Sequence, residues 1–281
     1  MKVRLKEFWQ NFWSVLKRPE MAILPGQLAF FFVLSIVPTI TIISYGASFL
    51  DLPHYFIYNF IEKAFNSEIA EMIVMGVSGV TLDLSFYVAL IFGFYFASNG
   101  AASIIVTSNT IYGIKNSSFL KRRLKAAIMT IFIVFLFLFI LIVPIFGNKI
   151  VEIIRHINLN NAITNNIILT FNIMKGPITW LIMFIFIKII YTLAPDRKMP
   201  SRNVNTGAIF TTISWAIVTE LFSYYINNFA AYDVFYGSLA NIIIVMIWFF
   251  LLAYIFTIGM ALNYREEKIK LEKTGQINIG K

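Results

Sequence analysis

Six long apolar stretches alternate along this chain with segments that are by turns strongly basic and nearly free of positive charge. The stretches lie near residues 27–50, 85–110, 126–148, 176–194, 207–229 and 237–262. Ahead of the first stand Lys2, Arg4, Lys6, Lys17 and Arg18, and between the second and third Lys115, Lys121, Arg122, Arg123 and Lys125. Between the fourth and fifth stand Arg197, Lys198 and Arg202, and after the sixth Arg265, Lys268, Lys270, Lys273 and Lys281. These four segments hold 18 of the 23 lysines and arginines, while the other three connections carry only Lys63, Lys149, Arg155 and Lys175. Basic residues resist translocation, so the rich segments mark the cytoplasmic side and place both termini there. A chain crossing hydrocarbon must satisfy its backbone internally. The pattern therefore predicts an all-α, polytopic membrane bundle of six transmembrane helices.

Composition points the same way. Hydrophobic residues make up 59% of the chain and charged residues 13%, with a mean hydropathy of +0.77, whereas soluble domains carry about a quarter charged residues. Six spans of about 20 residues each suit 281 residues as one bundle. The net charge of +9 is accounted for by topology and by attraction to anionic headgroups at the cytoplasmic face. Membrane lipids are thus the expected partners, nucleic acid is not, and a homo-oligomer stays open. With no cysteine, disulfides, thiolate catalysis and cysteine-ligated metal are excluded. No cleavable signal peptide is expected, since the first 25 residues lack a clean apolar core followed by a cleavage site.

Residues 1–26 read as a cytoplasmic amphipathic helix, with Phe8, Trp9, Phe12, Trp13, Val15 and Leu16 at helical spacing and tryptophan at the interface. Pro25-Gly26 is expected to break it before the transmembrane domain, 27–263, which a basic tail, 264–281, follows. In the first span Pro38, between Ser35 and Thr39, frees a carbonyl and predicts a kink, as a packing feature or as a hinge. The outer connections 51–84 and 149–175 carry apolar residues at helical spacing and suggest short interfacial helices. The second span holds the densest run of small residues, Ala97, Ser98, Asn99, Gly100, Ala101, Ala102 and Ser103. Such a run permits close helix approach or a broken helix lining a cavity, and Asn99 near mid-depth needs a polar partner. The third span is uniformly apolar and is expected to be the most lipid-exposed.

Two ionisable residues fall inside the spans, Glu220 in the fifth and Lys188 in the fourth. Charges at depth face the bundle interior, water or each other. Lys188 can snorkel to the inner surface on its long stem. Glu220 is shorter and deeper, which leaves two roles, a titrating acid or a hydrogen-bonding partner of another helix. Catalytic machinery is missing. His54 and His156 sit in separate outer loops with no ligand at metal spacing, and no G-x-S-x-G, phosphate loop or dinucleotide fingerprint is present. The expectation is no enzyme, no cofactor and no metal.

Three stretches resemble the YihY/BrkB family of bacterial inner-membrane proteins. They are LAFFFVLSIVPTI at 28–40, SNTIYGIKNSSFLKRRLKA at 108–126 and YGSLANIIIVMIWFFLLAYIFTIGMALN at 236–263. In the first, Ala29, Phe30, Ser35 and Pro38 match the family pattern; in the last, Tyr236, Gly237, Ser238, Leu239, Ala240, Trp248, Gly259 and Asn263 do. The resemblance implies a multi-pass protein of the bacterial plasma membrane with a suspected transport role, linked in some relatives to envelope lipids or serum resistance. Members were once labelled ribonuclease BN. RNA hydrolysis needs metal-binding carboxylates, histidines or an acid–base pair on the cytoplasmic side, which here offers mostly Lys and Arg with Asp196, Glu266, Glu267 and Glu272 scattered among them. The leading expectation is a transporter or flippase for a lipid or other amphipathic, anionic envelope component. Its pathway would be lined by Pro38, Ser35, Ser98, Asn99, Gly100, Glu220 and Lys188. A non-transporting scaffold of envelope machinery is the alternative, and a membrane-embedded hydrolase the third.

Overall fold

The computed structural model describes residues 13–14, 16–17, 19–49, 58–59, 62, 67–68, 70–71, 84–135, 161–228 and 239–273, with the backbone alone at some helical positions such as 35–49. The first twelve residues of the N-terminal amphipathic helix, most of the 51–83 connection, residues 149–160, both histidines and Tyr236, Gly237 and Ser238 lie outside that set.

Every regular element among the described residues is helical. In chain order these are α1 (Glu20–Phe49), α2 (Leu84–Tyr112), α3 (from 119, described to 135), α4 (Asn161–Leu193), α5 (Asn205–Asn228) and α6 (Ala240–Lys273), with a 3₁₀ turn, Ser201–Val204, leading into α5. Four segments are long and apolar enough to cross a membrane: Ile91–Tyr112, Gly176–Leu193, Ser201–Ile226 and Ala240–Lys268. The described apolar part of α1, Glu20–Leu34, is shorter.

The helices overrun the sequence-based boundaries in four places. α1 passes straight through Pro25-Gly26, where a break was expected. Pro25 stands in the second turn, where its missing N–H forfeits one bond to the Met21 carbonyl, and its ring is buried in line with Met21, Leu24 and Leu28. α3 begins at 119, so Lys121, Arg122, Arg123 and Lys125 are helical residues instead of loop residues. α4 runs for 33 residues, about 50 Å, and absorbs 161–175, which had read as part of an outer connection. α6 runs for 34 residues, longer than the ~30 Å hydrocarbon layer requires, and takes in residues 264–273 of the basic tail.

α6 is the central helix and packs against α1, α2 and α5, while α4 packs on α5. The α2–α3 and α4–α5 connections and the last turns of α6 share one end of the bundle. We call this the basic end, and the other the opposite end. The most deeply buried side chains, Leu28, Ile105, Ile187, Tyr191, Val204, Phe256 and Met260, all lie toward the basic end. The opposite end exposes Ile91, Phe92, Trp180, Leu181, Ile217 and Tyr224, and the outer surface of the basic end exposes Ile23, Phe119, Leu120 and Leu124.

Candidate functional site

Two chain reversals build a polar network at the basic end. α2 stops at Gly113, whose φ of +64° suits a residue without a Cβ, and Ile114 N–H closes the turn on the Asn109 carbonyl at 2.8 Å. The connection then folds back along α2, so that Asn109 Nδ2 donates to Asn116 Oδ1 at 2.9 Å. α4 stops at Leu193 ahead of Pro195, which cannot continue the ladder. Asp196 is thereby delivered to the folded-back loop. Its Oδ2 accepts from Asn109 Nδ2 at 2.8 Å and from Ser117 N–H at 3.0 Å, while its own N–H donates to Asn109 Oδ1 at 2.8 Å.

Lys125 of α3 completes the arrangement. Its ammonium donates to Asp196 Oδ1 at 2.9 Å and to the Ala194 and Pro195 carbonyls at 2.8 Å each, which uses all three of its donors. The Asp196 side chain is 6% exposed. Burial alone would raise its pKa, yet the Lys125, Ser117 and Asn109 hydrogen bonds outweigh burial and hold the carboxyl well below the ordinary carboxylate range. Asp196, Lys125 and Asn109 thus lock α2, α3 and α4 together.

α5 and α6 cross in near backbone contact beside this latch. A Cβ on Gly207 would strike the Gly259 carbonyl and the Asn263 amide, and one on Gly259 would strike the Thr211 and Tyr191 hydroxyls. Asn263 Oδ1 accepts from Gly207 N–H at 2.7 Å. Tyr191 Oη donates to the Phe256 carbonyl at 2.8 Å and shares a 2.7 Å hydrogen bond with Thr211. Outside this crossing, Arg197 pairs with Glu267, Thr206 donates to Glu266, and the Arg197 guanidinium lies 5.1 Å from the centre of the Tyr112 ring. Several buried polar atoms at this end, among them Ser103 Oγ, Thr107 Oγ1, Tyr112 Oη and Asn263 Nδ2, have no hydrogen-bond partner among the described residues.

The residues singled out from sequence fall into separate groups. Asn99 finds its polar partner in Arg123, whose Nη1 donates to Asn99 Oδ1 at 2.7 Å. Ser98 and Gly100 are buried beside it, the Ser98 hydroxyl returning to the Tyr95 carbonyl at 2.8 Å. Gly259 and Asn263 meet at the α5–α6 crossing, and Trp248 packs edge-on to Phe249 with ring centroids 4.8 Å apart. Ser35 and Pro38 lie on the backbone of α1, with side chains outside the described set. Glu220 is exposed, on a strip of α5 with Ile213, Ile217, Leu221 and Tyr224. Lys188 is half-buried, 5.9 Å from the Phe184 ring, and forms no ion pair with Glu220. By helical rise Glu220 stands about 15 Å farther from the basic end than Lys188, roughly three turns.

Asp196, Asn109 and Lys125 had not been singled out. The available signal was that Asp196 is the lone acid between the fourth and fifth spans, directly after a proline. No three His, Asp or Glu residues are placed to hold a metal among the described residues.

Comparison with known proteins supplies the family. A profile described as Virulence factor BrkB matches residues 12–278. The ribonuclease-like protein YfkH of Bacillus subtilis is 31% identical over 245 residues, which is 85% of this chain and 87% of that one. A UPF0761 membrane protein of Idiomarina loihiensis is 33% identical over 90 residues, 32% of either chain. Another, from Alteromonas mediterranea, is 36% identical over 63 residues, 22% of this chain and 21% of that one. No solved structure matches. The reach of the profile, nearly end to end, together with several helices apolar enough to span, makes this chain a membrane protein of the BrkB family.

Proposed function

We propose that this protein moves a lipid or other amphipathic, anionic envelope component across a bacterial plasma membrane, as a transporter or flippase with its basic end in the cytoplasm. In this reading α1 and α3 complete a set of six spans, and interfacial helices flank them. One observation carries the proposal. The basic end is closed by the Asp196–Lys125–Asn109 latch and the glycine crossing, while the opposite half presents a carboxylate, Glu220, on an exposed apolar strip. A carboxylate among Ile217, Leu221 and Tyr224 is costly against hydrocarbon and acceptable where water or a polar headgroup reaches it. The orphaned groups of Ser103, Thr107 and Asn263 then mark where polar cargo or water is accommodated when the closed end opens. The ribonuclease-like name of one relative draws no support from the side chains gathered here, and the reading is non-enzymatic.

Fluorescent-lipid equilibration in proteoliposomes tests the proposal. Purified protein should let a membrane-impermeant reductant bleach lipid from both leaflets, whereas protein-free vesicles lose only the outer one. Glu220→Gln should abolish the response to an imposed proton gradient. Folded protein that leaves the inner leaflet unbleached for zwitterionic and anionic lipids alike would reject transport in favour of the scaffold.

A further inference from the structure

The start of α3 carries more positive charge than the described residues neutralise. Lys121, Arg122, Arg123 and Lys125 stand within its first two turns, at the end of a helix whose dipole already favours anions. Of these four, only Lys125 has a carboxylate partner among the described residues, Asp196. Arg122 reaches the Ser117 carbonyl at 3.4 Å, and Lys121 is exposed.

Arg123 is the unusual member. Its Nη1 donates to Asn99 Oδ1 and its Nη2 to the Tyr95 carbonyl, each at 2.7 Å, and the guanidinium carbon lies 3.7 Å from the centre of the Tyr95 ring. These neutral acceptors fix its position without cancelling its charge. They also sit about 20 and 25 Å up α2 from Tyr112 by helical rise. The guanidinium is therefore held against α2 at depth, away from the chain reversals of the basic end. The apolar run of α3 starts immediately afterwards, at Ala126. A guanidinium has five N–H donors, and this half-buried one keeps several uncommitted. Around it Phe92 and Phe96 of α2 and Leu120, Leu124 and Ile128 of α3 are exposed.

We infer that Arg123, pinned by Asn99 and Tyr95, anchors the headgroup phosphate of an anionic phospholipid whose acyl chains lie along the exposed α2–α3 surface. A guanidinium matches phosphate oxygens in bidentate geometry, and the uncancelled charge of Arg123, with Lys121 and Arg122 nearer the basic end, favours an anionic headgroup. Lys121 and Arg122 supply charge beyond what one zwitterionic headgroup could balance. The site does not depend on transport and would serve a scaffold equally.

Native mass spectrometry of the delipidated full chain tests it, using phosphatidylglycerol and phosphatidylcholine with identical acyl chains, and inorganic phosphate and a short RNA as competitors. Wild type should hold phosphatidylglycerol about tenfold more tightly than phosphatidylcholine, and Arg123→Gln should erase most of that preference, with Arg123→Lys intermediate. Asn99→Ala keeps the cation but removes one orienting acceptor, and should weaken the preference by less. It also decides the matter if Arg123→Gln fails to fold, because an unchanged preference in Asn99→Ala would then reject the pinned geometry. Equal binding of the two lipids, a preference that survives Arg123→Gln, or displacement by inorganic phosphate or RNA as effective as by lipid would overturn the assignment.

Discussion

The two ends of this bundle bury their surfaces by different means. At the basic end α1, α2, α4 and α6 carry the largest buried side chains, the Asp196 carboxylate has every neighbour it needs, and two helices touch through Gly207 and Gly259. Toward the opposite end α2 and α6 expose Ile91, Phe92, Met246 and Phe250, and α5 exposes Glu220. Hydrocarbon is as apolar as leucine, so no hydrophobic force drives helices together within it. That force acts where water is present, which is where the chain reversals lie. Among the described residues, a polar-locked end with buried side chains is therefore joined to an apolar half with more exposed ones.

The comparison breaks most readily at the glycine crossing. Gly259→Val drives side-chain carbons into the Thr211 and Tyr191 hydroxyls and should cost about 3 kcal/mol, lowering the melting temperature in detergent by roughly 6–12 °C. Leu221→Ala on the exposed strip should shift it by no more than about 0.5 kcal/mol. Comparable losses for the two variants would erase the distinction between ends.

Asp196→Asn should follow at about 2 kcal/mol, the scale of hydrogen bonds to a charged group. It also carries the pH dependence. The carboxyl is held below its unfolded value of about 3.9, so its stabilisation is complete above that pH and drains away as pH falls toward the folded value. Melting curves recorded downward from pH 5 should therefore show an acid-induced loss in wild type that Asp196→Asn lacks. Tyr191→Phe, which removes the bonds to Thr211 and the Phe256 carbonyl, should cost about 1 kcal/mol. Glu220→Gln should leave stability within about 0.5 kcal/mol while altering gradient-driven lipid movement, which separates a functional acid from a structural one.

Charge placement made the helical membrane fold legible in the sequence, because hydropathy and backbone satisfaction leave few alternatives. Helix ends were not legible. Pro25-Gly26 was expected to break a helix and the fourth span to begin near 176, but local propensity yields to packing at Pro25, and α4 runs through Gly176-Pro177 as one helix. Asn99 was recognised as a mid-depth amide in need of a partner, yet the partner, Arg123, had been counted with the loop because its basic cluster was read as a topology signal. Gly259 and Asn263 were visible through family resemblance, and their physical reason, contact with Gly207, appears only when α5 and α6 are brought together. Asp196 stayed hidden because its partners lie 71 and 87 residues away in sequence.

Single-cysteine accessibility tests the contrast between ends most directly, since the native chain has no cysteine and each introduced thiol reports alone. In sealed membrane vesicles of known orientation, Glu220→Cys and Tyr224→Cys should react with a membrane-impermeant maleimide added to the face opposite the basic end. Thr107→Cys and Ser103→Cys should stay unreactive from either face until the latch is broken by Asp196→Asn. Ready labelling of Thr107→Cys in the otherwise native protein, together with an inert Glu220→Cys, would contradict a closed basic end and an open opposite half.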